Sequence, residues 1–142
     1  MLHGIDPLLT PDLLHSLAAM GHGDRIAIVD ANFPSASSGR TVHHLPGVDA
    51  TSLLRALLSL LPLDSFVPNP AVTMQQVGDP QAVPPVVQDF AAVLGDHGHA
   101  APDSVERFAF YDVVRGAFAV VQTGEMRPYG NIVLTKGVIF GT

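Results

Sequence analysis

The chain has 142 residues, the size of a single domain, which we place at residues 1–142. Seven Lys and Arg residues against thirteen Asp and Glu residues give a net charge of −6, and this balance argues against nucleic acid as a partner. Apolar residues make up 47% and charged residues only 14%, which excludes a disordered chain and leaves too little charge to cover a monomer, so we expect a homo-oligomer.

The first predicted elements are a helix and a buried strand. Thr10 is a typical N-cap, Pro11 suits the first helical position, and Asp12 carries a negative charge in the first turn. Gly21 is expected to end this helix in the left-handed conformation. The run from Arg25 to Val29 is apolar without alternation, which is typical of a strand that is buried on both faces.

The rest of the chain alternates between helical and extended patterns. The further predicted elements, in chain order, are a helix that begins at Asp49 or Thr51 and ends before Pro62, short strands at 64–67 and 71–77, a helix from Pro84 or Pro85 to Leu94 that Gly95 closes, and strands at 117–122 and 131–135. Residues 106–111 fit either a strand or a helical turn. This alternation predicts a single α/β domain whose helices pack on a mostly buried sheet.

The sequence also bears on where the protein works. Its most apolar run, residues 53–63, is interrupted by Arg55, Ser59 and Pro62, so it is no candidate for a membrane span. The N-terminus lacks the basic segment followed by an apolar one that a signal peptide needs. The chain has no cysteine, which excludes disulfides and thiolate metal ligands. We expect a cytoplasmic protein with no membrane partner.

Two polar residues flank the predicted buried strand. His22 lies between two glycines that leave its imidazole uncrowded, and an imidazole can both donate and accept protons near neutral pH. The alternative is a histidine that caps the preceding helix. Asp30 follows the strand at its carboxyl end, where the ligand sites of α/β sheets collect, or else it caps its own loop as an Asx turn.

Further candidates lie in the second half of the chain. Asp64 stands in apolar sequence, so its carboxylate is either buried for a function or, as the local pattern favours, lies at a surface turn. Arg107 stands beside several aromatic residues, a combination that can hold a sugar or simply cover an edge of the core. The segment from Tyr129 to Asn131 offers a hydroxyl, a close backbone approach and an amide, or forms an ordinary turn before a strand.

The seven histidines do not form the pattern of a metal site. His43 and His44 are adjacent and would point to opposite faces of a strand, and His97 and His99 have no third ligand at a useful spacing. We therefore expect no metal and no cofactor.

Segments along nearly the whole chain resemble one family, the RbsD/FucU sugar mutarotases. The matching segments are Leu2 to Leu9, Met20 to Asp24, Val29 to Pro34, Leu61 to Asp64, Glu106 to Tyr111, Ala117 to Glu125 and Tyr129 to Ile132. The segment from Arg107 to Tyr111 looks like the L-fucose branch of the family. Residues 40–45 and 78–102 match poorly, and no site residue is taken from them.

The resemblance implies an RbsD-like fold that assembles into a closed ring, an octamer or a decamer, with sites shared between neighbouring subunits. It implies that His22 is the catalytic proton donor and that Asp64 also takes part in proton transfer. The other residues that the resemblance assigns to sugar binding or to the pocket wall are Asp30, Arg107, Tyr129, Gly130, Asn131, Tyr111 and Met74.

The activity that the resemblance implies is the interconversion of the α and β anomers of a monosaccharide, with L-fucose as the expected sugar. The ring would open and close by reversible acid/base catalysis, and the partner of His22 would be either Asp64 or Asp30. Two alternatives use the same scaffold. One is a D-ribose pyranase, which interconverts pyranose and furanose forms, and the other is a protein that binds a monosaccharide without catalysis.

Overall fold

A six-stranded sheet with helices on both faces forms the fold, which a computed structural model describes for residues 1–141. In chain order the elements are α1 (Pro11–Ala19), β1 (Arg25–Val29), a short 3₁₀ helix (Ala36–Ser38), β2 (Thr41–Leu45), α2 (Ala50–Leu58), β3 (Ala71–Met74), α3 (Pro85–Asp96), β4 (Asp103–Val105), α4 (Arg107–Arg115), β5 (Ala119–Thr123) and β6 (Ile132–Thr135). The predicted α/β class and the single domain are confirmed. None of the helices in the described part of the chain has the length and apolar character that a membrane crossing requires.

The strand order of the sheet is β2-β5-β1-β6-β3-β4. Strand β6 runs antiparallel to its neighbours β1 and β3, while the pairs β1/β5, β2/β5 and β3/β4 are parallel. Five strands therefore share one direction, and their last residues meet at one end of the sheet, together with the first residue of β6. We call this the carboxyl end of the sheet, and the opposite end, where β1 begins and β6 finishes, the amino end.

Strand β1 forms the centre of both hydrophobic cores. Its residues 26–29 have no exposed surface, as the uninterrupted apolar run predicted. Ile26 and Ile28 face the larger core, which contains the apolar sides of α1, α2 and α3. Ala27 and Val29 face the smaller core on the other side, where Phe110 of α4 packs. The sheet is thus covered by three helices on one face and one on the other.

The start of α1 and the position of its end are as predicted, but the conformation of Gly21 is not. The Thr10 hydroxyl accepts a hydrogen bond from the Leu13 amide, and Pro11 occupies the first turn. The helix ends at Met20, and the glycine with a positive φ is Gly23 (86°), so the prediction for Gly21 is wrong. The ammonium group of Lys136, far along the chain, donates to the carbonyl oxygens of Leu17 and Met20 and caps the helix instead.

Several other boundaries differ from the sequence-based expectations. No strand forms at 64–67, where the chain makes only an isolated bridge between Leu63 and Lys136. Helix α3 continues through Gly95 to Asp96, and β3 ends at Met74 rather than at residue 77. The edge strands β2 and β4 were not predicted. Residues 107–111 are helical because the Glu106 carboxylate caps the start of α4.

Candidate functional site

The amino end of the sheet carries a hydrogen-bonded pair of His22 and Asp64. His22 lies in the turn between α1 and β1, and its Nε2 is 2.8 Å from Oδ1 of Asp64. The imidazole is 46% exposed, whereas the Asp64 side chain is only 3% exposed. A buried carboxylate therefore orients an imidazole that solvent, or a ligand, can reach.

Asp64 is held in its ionised form. Burial acts to raise the pKa of this carboxyl group, but hydrogen bonds from His22 and from the backbone amides of Phe66 and Ser65 outweigh it, so the pKa lies below its usual value. The Phe66 ring packs against the imidazole with a centroid distance of 5.3 Å. An ionised carboxylate on one nitrogen fixes which tautomer a neutral imidazole adopts, as acid/base catalysis requires.

This geometry corrects two of the local alternatives. Asp64 does not lie at an exposed surface turn, because its backbone amide donates to the Thr135 carbonyl at the end of β6 and this draws the side chain inside. His22 does not cap α1, since Lys136 binds the carbonyl groups at the end of that helix.

The carboxyl end of the sheet carries a second group, with Asp30 and Asn131 at its centre. The Asn131 amide oxygen accepts a hydrogen bond from the Asp30 backbone amide (2.8 Å), and its Nδ2 donates to Asp30 Oδ2 (3.2 Å). The Asn32 amide donates to Asp30 Oδ1, so the predicted Asx turn is present as well. Both side chains are buried. A carboxylate has about four acceptor positions, so Asp30 retains capacity to accept a further hydrogen bond.

The environment of Asp30 differs from that of Asp64. Burial raises the pKa of the Asp30 carboxyl group, and its hydrogen bonds from Asn32, Asn131 and Phe33 offset this only in part. The nearby negative charge of Glu125 acts in the same direction as burial. The two carboxylates thus have pKa values displaced in opposite directions.

Tyr129 lies beside this pair in a backbone conformation that is unusual for a tyrosine. Its φ is 66°, in the left-handed region that favours glycine. Its hydroxyl oxygen accepts a hydrogen bond from the Val77 amide at 3.0 Å, and the Asn131 amide donates to the Tyr129 carbonyl. Strain of this kind is maintained only where the surroundings fix the backbone, and it is frequent at functional sites.

The remaining predicted residues surround the same end of the sheet. Arg107 at the start of α4 donates from Nε to the Tyr111 hydroxyl (3.0 Å), and its guanidinium lies over the Phe108 ring. Met74 is buried at the end of β3 and belongs, with the partly buried Tyr111 and Tyr129, to the smaller core. A cavity of about 200 Å³ adjoins Arg107, and its other lining residues are Gln75, Gln76, Val77, Gly78, Pro80 and Glu106.

The predicted residues therefore fall into two groups within one chain. His22 precedes β1 and Asp30 follows it, and a strand of that length spans about 13 Å at ~3.3 Å per residue. Asp64 lies with His22, and the other six predicted residues lie with Asp30. Of the two candidate partners of His22, the structure brings Asp64 into contact with it and leaves Asp30 at the far end of the sheet.

Two charged residues at the carboxyl end were missed as candidates. Glu125 is buried, and its carboxylate accepts hydrogen bonds from the Arg127 side chain. The sequence shows Glu125 only as part of a turn after a strand, and the two-residue spacing to Arg127 is no known signal of a site. The histidines that could suggest a metal do not gather with other ligands, since residues 1–141 contain no group of three or more His, Asp or Glu side chains with that geometry.

Comparison with known proteins shows which family the chain resembles. Residues 3–139 match the model of the RbsD / FucU transport protein family. The fucose mutarotase of Bos taurus is 42% identical over 145 residues, which cover 98% of this chain and 95% of that protein. The L-fucose mutarotase of Glaesserella parasuis serovar 5 is 43% identical over 140 residues, covering 97% and 96% of the two chains.

The solved structures include a near relative with a bound sugar. The fucose mutarotase of Streptococcus pneumoniae, in complex with L-fucose, superposes with a TM-score of 0.92 at 37% identity and covers 98% of this chain and 100% of its own. The family match and both curated relatives extend over nearly the full length of the sequence. The chain therefore belongs to the RbsD/FucU family.

Proposed function

We propose that this protein is an L-fucose mutarotase, an isomerase that interconverts the α and β anomers of the sugar. The observation that carries the proposal is the 2.8 Å hydrogen bond between the exposed imidazole of His22 and the buried carboxylate of Asp64. Relatives of more than 40% identity over nearly the whole chain bear the name fucose mutarotase, which supports this substrate.

The reaction requires that one proton leaves the anomeric hydroxyl and that one proton reaches the ring oxygen. A base takes the proton of the anomeric hydroxyl while an acid protonates the ring oxygen, the bond between C1 and that oxygen breaks, and an open-chain aldehyde forms. Rotation about C1–C2 and reclosure give the other anomer. Because the reaction is reversible, each group serves as acid in one direction and base in the other, and an imidazole suits both roles.

We assign proton transfer to His22 and its orientation to Asp64. The ionised Asp64 carboxylate holds one nitrogen of the ring and stabilises the imidazolium that forms when His22 takes up a proton. The exposed part of the ring remains available to the sugar. His22 delivers to the ring oxygen the proton that it takes from the anomeric hydroxyl, so it returns to its starting state in each opening step while Asp64 stays ionised.

We assign sugar binding to the group at the carboxyl end of the sheet. The hydroxyl groups on a sugar ring can form hydrogen bonds with the carboxylate of Asp30, the amide of Asn131 and the guanidinium of Arg107. Tyr111 and Met74 supply apolar surface for the non-polar face of the sugar. Gly130 lies between the Asp30 and Glu125 side chains and lets this turn pack closely against them.

The separation of the two groups favours a site that two subunits share. One chain places His22 and Asp30 at opposite ends of β1, and a monosaccharide is too small to touch both. A closed ring in which the amino end of one sheet meets the carboxyl end of the next would bring the groups together. Exposed apolar side chains at the amino end, among them Phe66 and Ile139, fit such burial.

The proposal is tested by NMR exchange spectroscopy of sugar anomers. The wild-type protein is expected to accelerate the exchange between α- and β-L-fucose, with D-ribose as the comparison sugar. His22→Ala is expected to lower the catalysed rate by about 10²-fold or more, since a well-placed acid/base contributes roughly 10²–10⁴-fold. His15→Ala removes an exposed imidazole on α1 and serves as the matched control.

Three results would contradict parts of the proposal. Binding of L-fucose without faster exchange would favour a sugar-binding protein. Acceleration restricted to D-ribose would exclude the fucose assignment. Unchanged exchange in the His22→Ala variant would remove this residue from the mechanism.

A further inference from the structure

Glu125 and Arg127 form an ion pair on the segment that joins β5 to β6. The guanidinium donates from Nη2 to Oε1 of Glu125 (3.0 Å) and from Nε to Oε2 (3.2 Å), and the Arg127 backbone amide also donates to Oε2 (3.2 Å). The Glu125 side chain is 5% exposed. Such a bidentate ion pair fixes the orientation of both side chains.

Arg127 is in turn anchored to the helical layer. Its Nη1 donates to Asp89 of α3 at 2.6 Å, and its Nη2 donates to Thr51 of α2 at 3.2 Å. Hydrogen bonds from Arg127 hold the pKa of the Glu125 carboxyl group below its usual value although burial acts to raise it. The buried carboxylate therefore stays ionised and cannot easily move.

The held Glu125 side chain packs against the turn that carries the sugar-binding residues. A Cβ atom at Gly130 would lie 2.7 Å from Cγ of Glu125 and 3.5 Å from Cβ of Asp30, so Gly130 fits closely between these two side chains. Tyr129 and Asn131 flank Gly130. Tyr129 holds its positive φ only while the turn is fixed.

The Glu125 backbone also joins this turn to the end of β1. Its carbonyl oxygen accepts a hydrogen bond from the Ala31 amide (2.9 Å), directly after Asp30. Its amide donates to the Thr123 hydroxyl, which itself donates to the Val29 carbonyl. The Glu125 backbone is thus connected to β5 and to the end of β1 that bears Asp30, while its side chain packs against Gly130, the residue before Asn131.

We propose that Glu125, locked by Arg127, is a positioning residue that holds the Tyr129–Asn131 turn and keeps the Asn131 amide against Asp30 in the orientation for sugar binding. The part that concerns the sugar rests on the proposed mutarotase function. The part that concerns the Asn131 amide does not, and it can be measured without sugar.

The kinetic test compares Glu125→Ala with Asp89→Asn. Glu125→Ala is expected to raise KM for L-fucose by about tenfold or more with a smaller change in kcat, because a loosened supporting contact misplaces the binding groups. Asp89 is the other carboxylate partner of Arg127, and its side chain is 52% exposed, so Asp89→Asn should keep KM within about twofold of the wild type. Equal KM values for wild type and Glu125→Ala, or equal increases in both variants, would overturn the proposal.

The second readout is the NMR signal of the Asn131 side-chain amide. Its Nδ2 donates to Asp30 in the wild type, and Glu125→Ala should move the signal toward that of a solvated asparagine, whereas Asp89→Asn should leave it in place. If Glu125→Ala does not fold, Glu125→Gln keeps the side-chain volume against Gly130 and removes only the charge, with a smaller shift expected.

The two readouts separate failure of the proposal from failure of the proposed function. A wild-type protein that does not accelerate L-fucose exchange would reject the function and leave the amide measurement valid. An unchanged Asn131 amide signal in folded Glu125→Ala and Glu125→Gln would overturn the positioning role, whatever the activity.

Discussion

At the scale of single residues, the pKa values of the two candidate carboxylates are shifted in opposite directions because their surroundings differ. Asp64 accepts hydrogen bonds from an imidazole and two backbone amides, which favour its ionised form. Asp30 is buried beside Glu125, which disfavours ionisation. This difference supports the proposed assignment of Asp64 as the partner of His22 and of Asp30 to sugar binding.

Removal of the Asp64 charge should weaken catalysis while leaving the sugar-binding group intact. Asp64→Asn loses the ionised partner that orients His22, and we expect the rate of anomer exchange to fall by about 10²-fold or more, with KM changed less. Exchange NMR measures both values. Asp96→Asn, at an exposed carboxylate on α3, is the control. An Asp64→Asn variant as active as the wild type would leave His22 without a required partner.

Asp64 should also make stability depend on pH in a defined direction. Its pKa in the folded protein lies below the unfolded value of about 3.9, so the unfolded state binds more protons at mildly acidic pH. Its contribution is therefore present above about pH 4 and is lost as the pH falls through the folded-state pKa. Scanning calorimetry should find a Tm difference between wild type and Asp64→Asn near neutral pH that shrinks on acidification. A difference that persists at lower pH would contradict this.

His22 and Asp30 could be identified as candidates from local sequence, whereas the burial of Asp64 could not be predicted from it. Glycines around His22 and the strand before Asp30 are local signals. The position of Asp64 depends on contacts with Thr135 and Lys136, more than 70 residues away, and local sequence does not contain them. The conformation of Gly21 was predicted wrongly for the same reason, since the group that caps the end of α1 comes from the distant Lys136.

At the scale of elements, α1, α2 and α3 were predicted because their starts carry local signals, whereas α4 was left open between a helical turn and a strand although its start is capped locally too. Asp49 accepts hydrogen bonds from the Ser52 amide (2.8 Å) and hydroxyl (2.7 Å) at the start of α2. Glu106 does the same for Phe108 and Ala109 at the start of α4. The strands β2 and β4 were missed because they are short, polar and at the ends of the strand order, so only their pairing with β5 and β3 defines them.

The cap at the start of α2 provides a test that is independent of catalysis. Asp49→Ala should lower the free energy of unfolding by about 1 kcal/mol, the usual cost of losing an N-cap, whereas Asp49→Ser should retain most of it. Urea denaturation measures this difference. Asp49→Ser, which keeps a capping side chain before Thr51, should retain the anomer exchange of the wild type. Equal stability of the alanine and serine variants would show that the cap contributes little.

At the scale of the whole molecule, the low charge content and the divided site favour the same assembly. A ring would bury apolar surface at the amino end of the sheet, including a groove of about 500 Å³ whose lining contains Leu14, Leu17, Leu60 and Ile139. Light scattering is expected to give the mass of a closed oligomer. A protein that is monomeric and still active would contradict both the ring and the shared site.

Subunit mixing decides whether two chains build each site. His22→Ala and Arg107→Ala remove one residue from each end of the sheet, and both are exposed, so folding should not suffer. In mixed rings of the two variants, a site that takes His22 from one chain and Arg107 from its neighbour regains both in about a quarter of cases, since each chain is drawn at random. If each site lies within one chain, every site lacks one of the two residues, and the mixture stays inactive.

The reciprocal mixture provides the matched control. Wild-type chains combined in equal amounts with the double variant His22→Ala/Arg107→Ala contain intact sites in about half of cases if each site lies within one chain, but in only about a quarter if it is shared. Exchange NMR at L-fucose concentrations below KM counts the active sites, provided that the chains are co-expressed or refolded together. Activity near one quarter in both mixtures identifies the shared site. Zero activity in the first mixture and one half in the second would place the complete site within a single subunit and exclude the proposed division of labour between the two ends of the sheet.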